Sequence, residues 1–226
     1  MPNFNYFAEQ EQAGQERFQK LRDRLLGPVI RLLIACRISA DVISLLGMLQ
    51  LVPFGYLLLQ AAEPRDVAFA TIFLWLHVIL DAVDGPIARA TGNSGPAGAF
   101  TDMCGDHTGM LITSCLLAAA GLADGTLTTV YVSFYTLAVV FTICLNVIKQ
   151  PFRLVIRTKY LLYALISFYG ISGTNILNEA LYAFCAIHIV FSLAGFLKLR
   201  RVLCSSEVDL SDSARIESPE SPETPE

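Results

Sequence analysis

The chain has 226 residues, 54% of them hydrophobic, with a mean hydropathy of +0.54 and a formal net charge of −4. So apolar a composition excludes an ordinary soluble domain and points to a polytopic membrane protein. No basic face alternates with exposed aromatics, which excludes a nucleic-acid binder; the acid excess is gathered in residues 207–226, and the remainder is near neutral to basic.

Residues 1–25 are polar and charged and carry no cleavable signal pattern. Over residues 4–33, Phe18, Leu21, Leu25, Val29 and Leu32 fall on one helical stripe, with Arg17, Lys20, Arg22 and Arg24 elsewhere. That pattern predicts an amphipathic helix lying on the membrane, its basic side chains towards lipid phosphates, and bent at Gly27-Pro28. A plain juxtamembrane linker is the alternative. A first spanning helix is predicted over residues 41–60, kinked at Pro53 because the ring removes a ladder hydrogen bond. Asp41 stands at its start, where a carboxylate serves as a helix N-cap.

Five more spans follow, at about 67–89, 98–120, 127–148, 155–169 and 176–199, each near the roughly 20 residues a bilayer requires. The expected fold is therefore all-α, a polytopic integral membrane protein with six transmembrane helices behind an N-terminal amphipathic interfacial helix. Its parts are a cytoplasmic segment 1–38, a six-helix catalytic domain 39–203, and a disordered acidic tail 204–226 ending S-P-E-S-P-E-T-P-E. Lysine and arginine are plentiful before span one, between spans four and five (Lys149, Arg153, Arg157, Lys159) and after span six. Arg65 alone follows span one, Arg89 follows span two, and spans three and five have none after them. This alternation puts both termini and the loop after span two on the cytoplasmic side. Six scattered cysteines without C-x-x-C spacing read as reduced thiols.

The chemistry is concentrated between Asp81 and Asp106. D-A-V-D-G-P-I-A-R is followed by eight residues and then G-A-F-T-D-M-C-G-D. Asp81 and Asp84 are three apart, Asp102 and Asp106 four apart, so each pair shares a helix face. Asn93, Gly95 and Pro96 break the pattern between them, which predicts two antiparallel helices joined by a tight turn, with the four carboxylates at one point. Intramembrane acids are functional by default. Four bare carboxylates would repel one another, and divalent cations relieve that; oxygen ligands in this number suit Mg²⁺, Mn²⁺ or Ca²⁺ rather than zinc. His77, one turn before Asp81, reads as a buried packing residue rather than a ligand; His107 and His188 carry no assigned role, and Trp75 reads as packing or an interfacial anchor.

This stretch resembles the signature of the CDP-alcohol phosphotransferases, D-x-x-D-G-x-x-A-R, eight or nine residues, then G-x-x-x-D-x-x-x-D, matched by Asp81, Asp84, Gly85, Ala88, Arg89, Gly98, Asp102 and Asp106. I-S-A-D-V-I-S-L-L-G resembles a weaker family element, with Ala40 in place of its proline and Ser44 in place of its threonine. The resemblance implies a metal site of Asp81, Asp84, Asp102 and Asp106, holding Mg²⁺ or Mn²⁺ as two ions. It implies Asp106 as the general base on the acceptor hydroxyl. It also implies donor-binding roles for Asp41, Gly85, Ala88, Arg89 and Gly98: Gly85 and Ala88 giving clearance, Arg89 forking onto phosphate, Gly98 allowing tight packing where span three begins. Arg153, Arg157 and Lys159 read either as positive-inside residues or as a pocket for a phosphorylated acceptor. The function expected is transfer of a phosphatidyl group from CDP-diacylglycerol to a polar alcohol such as inositol phosphate or glycerol phosphate, releasing CMP, among membrane lipids and as the homodimer the resemblance implies. The alternatives are a soluble CDP-alcohol with a diacylglycerol acceptor, and a cation transporter using the carboxylates as an ion path.

Overall fold

The computed structural model describes the backbone of residues 26–93, 95–152 and 156–216, and their side chains except at Pro96 and 205–216. Eight helices fill the described residues: α1 (Leu26–Ala35), α2 (Ala40–Leu49), α3 (Leu51–Gln60), α4 (Pro64–Ala90), α5 (Pro96–Ala119), α6 (Gly125–Val147), α7 (Lys159–Ser172) and α8 (Leu177–Ile216). Most of the expected interfacial helix lies outside the described residues. The part described, α1, buries Ile30 against Ile43, Val83 and Ile87, while Val29 and Leu32 of the predicted stripe are exposed. Gly27 and Pro28 fall in its first turn, so a bend there would lie at the edge of the described chain.

α2 and α3 together form the first predicted span. The break falls at Gln50, whose N–H bonds back to Gly47 O at 3.2 Å. Pro53 has no N–H to offer the carbonyl of Leu49 one turn earlier, and its ring crowds that carbonyl, so the helix breaks a turn ahead of the proline. Asp41 is not the N-cap: Ser39 Oγ accepts from Val42 N–H, and Asp41 sits exposed in the first turn. Ser39 is the better-placed residue because it alone adopts the extended backbone that lets a side chain fold back on the first turn.

Four helical stretches are long and apolar enough to cross a membrane: Ala40–Gln60, Pro64–Ala90, Gly125–Val147 and Leu177–Cys204. A third or less of the residues in their apolar windows are buried, so most of this apolar surface faces outwards, as lipid contact requires. α5 is 24 residues long but carries Asp102, Asp106 and several small polar residues. α7 has 14 residues, about 21 Å at 1.5 Å per residue. The six-span expectation thus rests on these two helices. α8 runs on as helix to Ile216, into the stretch expected to be a tail.

Three close crossings set the arrangement. α7 runs antiparallel to α4: Gly170 lies so near Ala68 that a Cβ would come within 2.6 Å of the Ala68 nitrogen, and Trp75 Nε1 donates to Ser167 Oγ at 2.8 Å further along. α8 runs parallel to α6, tied by Ser192 Oγ donating to Phe134 O at 2.9 Å and by Gly195 lying against Phe141. α2 runs antiparallel to α4, with Gly47 against Leu80 and the backbone of His77. α4 and α5 are joined by a short connection and meet at two levels, Asp81 and Asp84 with Asp102 and, further along, His77 with Gly109, so they run antiparallel as expected, although their backbones are not closely packed. By backbone proximity α5 lies chiefly on α3 and α6, while α4 is enclosed by α2, α3 and α7. Small residues set these approaches: Gly55 of α3 receives Leu116 of α5, and Gly109 of α5 lies against His77 of α4 and Leu51 of α3, so α5 touches both α3 and α4. The main core gathers Phe54, Leu74, Met110, Tyr131, Tyr163 and Ile166 from five helices.

Gly170→Ala should destabilise the fold, because the backbone of Ala68 cannot yield as a side chain would; overpacking of this kind costs about 1–3 kcal/mol. Gly125→Ala, built into open space, is the control. Thermal midpoints in one detergent check it: a clear drop for position 170 and little change for position 125.

Candidate metal centre and its surroundings

The site is assembled from α2, α4, α5 and the first residue of α7. On α4, Asp81 and Asp84 stand three residues apart, on the last turns before Ala90; Asp84 is 6% exposed. On α5, Asp102 lies exposed near the helix start and Asp106 one turn further in. One carboxylate oxygen from each of Asp81, Asp84 and Asp102 lies within 4.8 Å of the others. The two helices can do this because α4 carries its carboxylates near its end and α5 carries Asp102 near its start.

Ser44 on α2 donates from Oγ to Asp84 Oδ2 at 2.5 Å, and the Gly85 N–H lies 2.6 Å from Asp84 Oδ1. Ser44 also donates back to Ala40 O at 3.1 Å. The carboxylate of Asp84 is therefore aimed by the first spanning helix, although its own backbone belongs to the second. Ser44 occupies the position where the weaker family element has threonine, so a hydroxyl is kept there.

Asp106 has a different neighbour. Its Oδ1 accepts from the Lys159 ammonium, which also stands 4.0 Å from Asp81 Oδ2. Lys159 is 3% exposed and lies beside the rings of Tyr160 and Tyr163. Lys159 thus bridges the two carboxylate helices from a third, a placement that its sequence position among Thr158, Tyr160 and Leu161 gave no means of foreseeing.

The other predicted residues fall as follows. Arg157 lines a cavity of about 40 Å³ together with Asp106, Lys159, Tyr135 and His188. Arg153 lies outside the described residues. Arg89 is exposed at the end of α4, and a Cβ at Gly85 would meet Arg89 Nη1 at 3.5 Å, so the two share one patch of surface. Ala88 is half-buried. A Cβ at Gly98 would meet nothing within 4 Å, so the tight packing expected there is not found; α5 approaches its neighbours further along, at Gly109. Asp41 is exposed, one helical turn from Ser44. His77 is buried, as expected, with Nδ1 3.0 Å from Gly47 O. The weaker family element singled out Ser44 but not its contact with Asp84, and a buried chain in which Thr158 Oγ1 joins Tyr131 Oη (2.7 Å) to His188 Nε2 (2.9 Å) had no sequence signal beyond residue type.

The pattern of the CDP-alcohol phosphatidyltransferases matches residues 37–199, from the turn before α2 to the far part of α8. The chain belongs to that family. A comparison with curated proteins gave no match. Membership makes this a phosphotransferase that moves a phosphatidyl group from a CDP-linked alcohol to an alcohol, and sets aside the ion-path alternative. Its four long apolar helices agree with an enzyme embedded in a membrane. The family is typically dependent on divalent metal, and the Asp81, Asp84 and Asp102 cluster fits such an ion: the donors are hard carboxylate oxygens, converging from two helices.

Mn²⁺ binding followed by calorimetry or by loss of the free-ion spin resonance signal should be abolished in Asp102→Asn. It should weaken about 10–100-fold in Ser44→Ala, the range typical when the partner that orients a ligand is removed. Full affinity in Ser44→Ala would show that the hydroxyl does not orient Asp84.

Proposed function

We propose that this transferase moves the phosphatidyl group of CDP-diacylglycerol to a polar, phosphorylated alcohol, of which inositol phosphate and glycerol phosphate are the simplest candidates, and releases CMP. The observation that carries this reading is the cavity shared by Asp106, Arg157 and Lys159. At about 40 Å³ it has room for roughly three waters, and Asp106 and two cationic side chains, Arg157 and Lys159, line it among mainly apolar neighbours. An anionic, hydroxyl-bearing group suits it; the apolar glyceride of diacylglycerol does not.

Asp81, Asp84 and Asp102 would hold the divalent cations, which bind the donor pyrophosphate and neutralise charge developing on it. Arg89, on the exposed end of α4, is placed to fork onto a donor phosphate, and the open face of Gly85 leaves the backbone approachable beside it. Arg157 binds the phosphate of the acceptor, and Lys159 serves both the acceptor cavity and the orientation of Asp106. Asp106 takes the proton from the acceptor hydroxyl. The hydroxyl oxygen forms its new bond to the phosphorus on the lipid side of the pyrophosphate, and the bond from that phosphorus to the CMP oxygen breaks. The lysines and arginines before the first span, around 149–159 and just after the last span support an active site facing the cytoplasm.

Asp106→Asn should keep metal-dependent binding of CDP-diacylglycerol and lose turnover by about 10²–10⁴-fold, the usual weight of a general base. Calorimetry with Mg²⁺ and CMP release under the same conditions are the paired measurements. Near-normal turnover would remove the base assignment, and loss of donor binding together with turnover would make Asp106 a metal ligand alone.

Arg157→Gln should raise the acceptor KM about tenfold or more and leave the donor KM unchanged. The assay offers labelled CDP-diacylglycerol with inositol phosphate, glycerol phosphate, serine and inositol in turn. CMP release only with the uncharged or zwitterionic acceptors, or only from a soluble CDP-alcohol with diacylglycerol, would overturn the choice of acceptor.

A further inference from the structure

The chain has three histidines, and the transfer chemistry above uses none of them. His188, on α8, is 3% exposed and lines the same cavity as Asp106, Arg157 and Lys159. Its Nε2 lies 2.9 Å from Thr158 Oγ1, which lies 2.7 Å from Tyr131 Oη. Its Nδ1 is buried and has no hydrogen-bond partner among the described residues. Tyr135 meets the ring edge-on at 5.1 Å between centroids and Tyr131 flanks it at 5.7 Å, so the imidazole is held in one orientation.

The direction of this hydrogen-bond chain decides what Nδ1 offers. Thr158 has one hydroxyl proton to give. If Nε2–H donated to Thr158 and Thr158 to Tyr131, two groups would go unmet: the phenolic proton of Tyr131, which is fully buried, and the Nδ1 lone pair. If Tyr131 donates to Thr158 and Thr158 to Nε2, one group goes unmet, the Nδ1–H. Buried polar groups are costly to leave unpaired, so the second order prevails. Neutral His188 then carries its proton on Nδ1, an unmet donor on a ring that lines the cavity Asp106 also lines.

We infer that His188 binds the acceptor alcohol, giving its Nδ1–H to an acceptor oxygen while Thr158 fixes the tautomer. This rests on the transfer reading above and adds a specificity-determining residue to it. The partner is a hydroxyl or phosphate oxygen; a cationic or purely apolar group would leave the donor unmet. Thr158 is also the residue immediately before Lys159, so the same contact joins α8 to the start of α7.

Two variants separate binding from simple support. His188→Asn keeps an N–H donor near the place of Nδ1 and gives up Thr158; His188→Gln reaches towards Thr158 and gives up Nδ1. With CDP-diacylglycerol and the acceptor that the wild-type protein uses, His188→Gln should raise the acceptor KM about tenfold with the donor KM unchanged, and His188→Asn should stay nearer wild type. The reverse order, or equal shifts in both KM values, would overturn the inference and leave His188 as a brace for Thr158. A second measurement needs no variant to be active. In ¹⁵N-histidine spectra of the wild-type protein in detergent, the signal missing from His188→Gln should show a protonated Nδ1 and should move as inositol phosphate or glycerol phosphate is titrated. A protonated Nε2, or no movement at saturating acceptor, refutes it. If the wild-type protein releases no CMP with any acceptor, the transfer reading fails and this inference with it; turnover with an unmoved His188 signal sinks this inference alone.

Discussion

One buried ammonium holds the active region together. Lys159 enters from α7, bonds to Asp106 on α5 and stands near Asp81 on α4, in surroundings that otherwise offer it tyrosine rings. A cation taken out of water is tolerable only against opposite charge, and carboxylates gathered in one place are tolerable only against cations. Each group thus makes the other's position affordable. Breaking such a pair from one side leaves an uncompensated charge, which is why the ends of three helices must be held in register.

The register comes from ordinary packing far from the charges. Gly170 against Ala68, then Trp75 to Ser167, then Lys159 at Asp81 mark successive levels of one antiparallel crossing between α7 and α4. The first of these tolerates no side chain, so it fixes how close the helices lie and hence how far the Lys159 ammonium reaches. On the opposite side, α6 and α8 run parallel, and the Tyr131–Thr158–His188 chain ties both to the residue before Lys159. The start of α7 is thereby anchored from two directions.

This arrangement separates four aspartates that share a motif. Asp81, Asp84 and Asp102 converge within metal-binding reach of one another, and Ser44 aims one of them. Asp106 instead faces the lysine and the cavity that also contains Arg157. In the proposed transfer the three grouped carboxylates would hold the cation and the fourth, facing the cavity, would take the proton, so that charge on the leaving pyrophosphate and a proton on the attacking hydroxyl are handled in different places.

Much of this was legible in the residues themselves. Hydropathy and helical spacing determine that the chain is all helical among its described residues and apolar enough for a membrane, and the aspartate motif with its flanking Gly, Ala and Arg carries the resemblance to the family that the match over residues 37–199 bears out. Those signals are local: a period of 3.6 residues, a proline one turn beyond a break, an acid where an acid is expensive. The tertiary structure decided what local signals do not encode. It set Leu116 of α5 into Gly55 of α3 and Gly109 of α5 against His77 of α4, placed Ser39 and not Asp41 at the helix cap, left Gly98 in open space, and gave Lys159 to Asp106. Contacts between residues 53 or 40 positions apart, as in Lys159 with Asp106 and Ser44 with Asp84, depend on which helices cross and at what height, and that is set by the fit of small residues against bulky ones across the whole bundle.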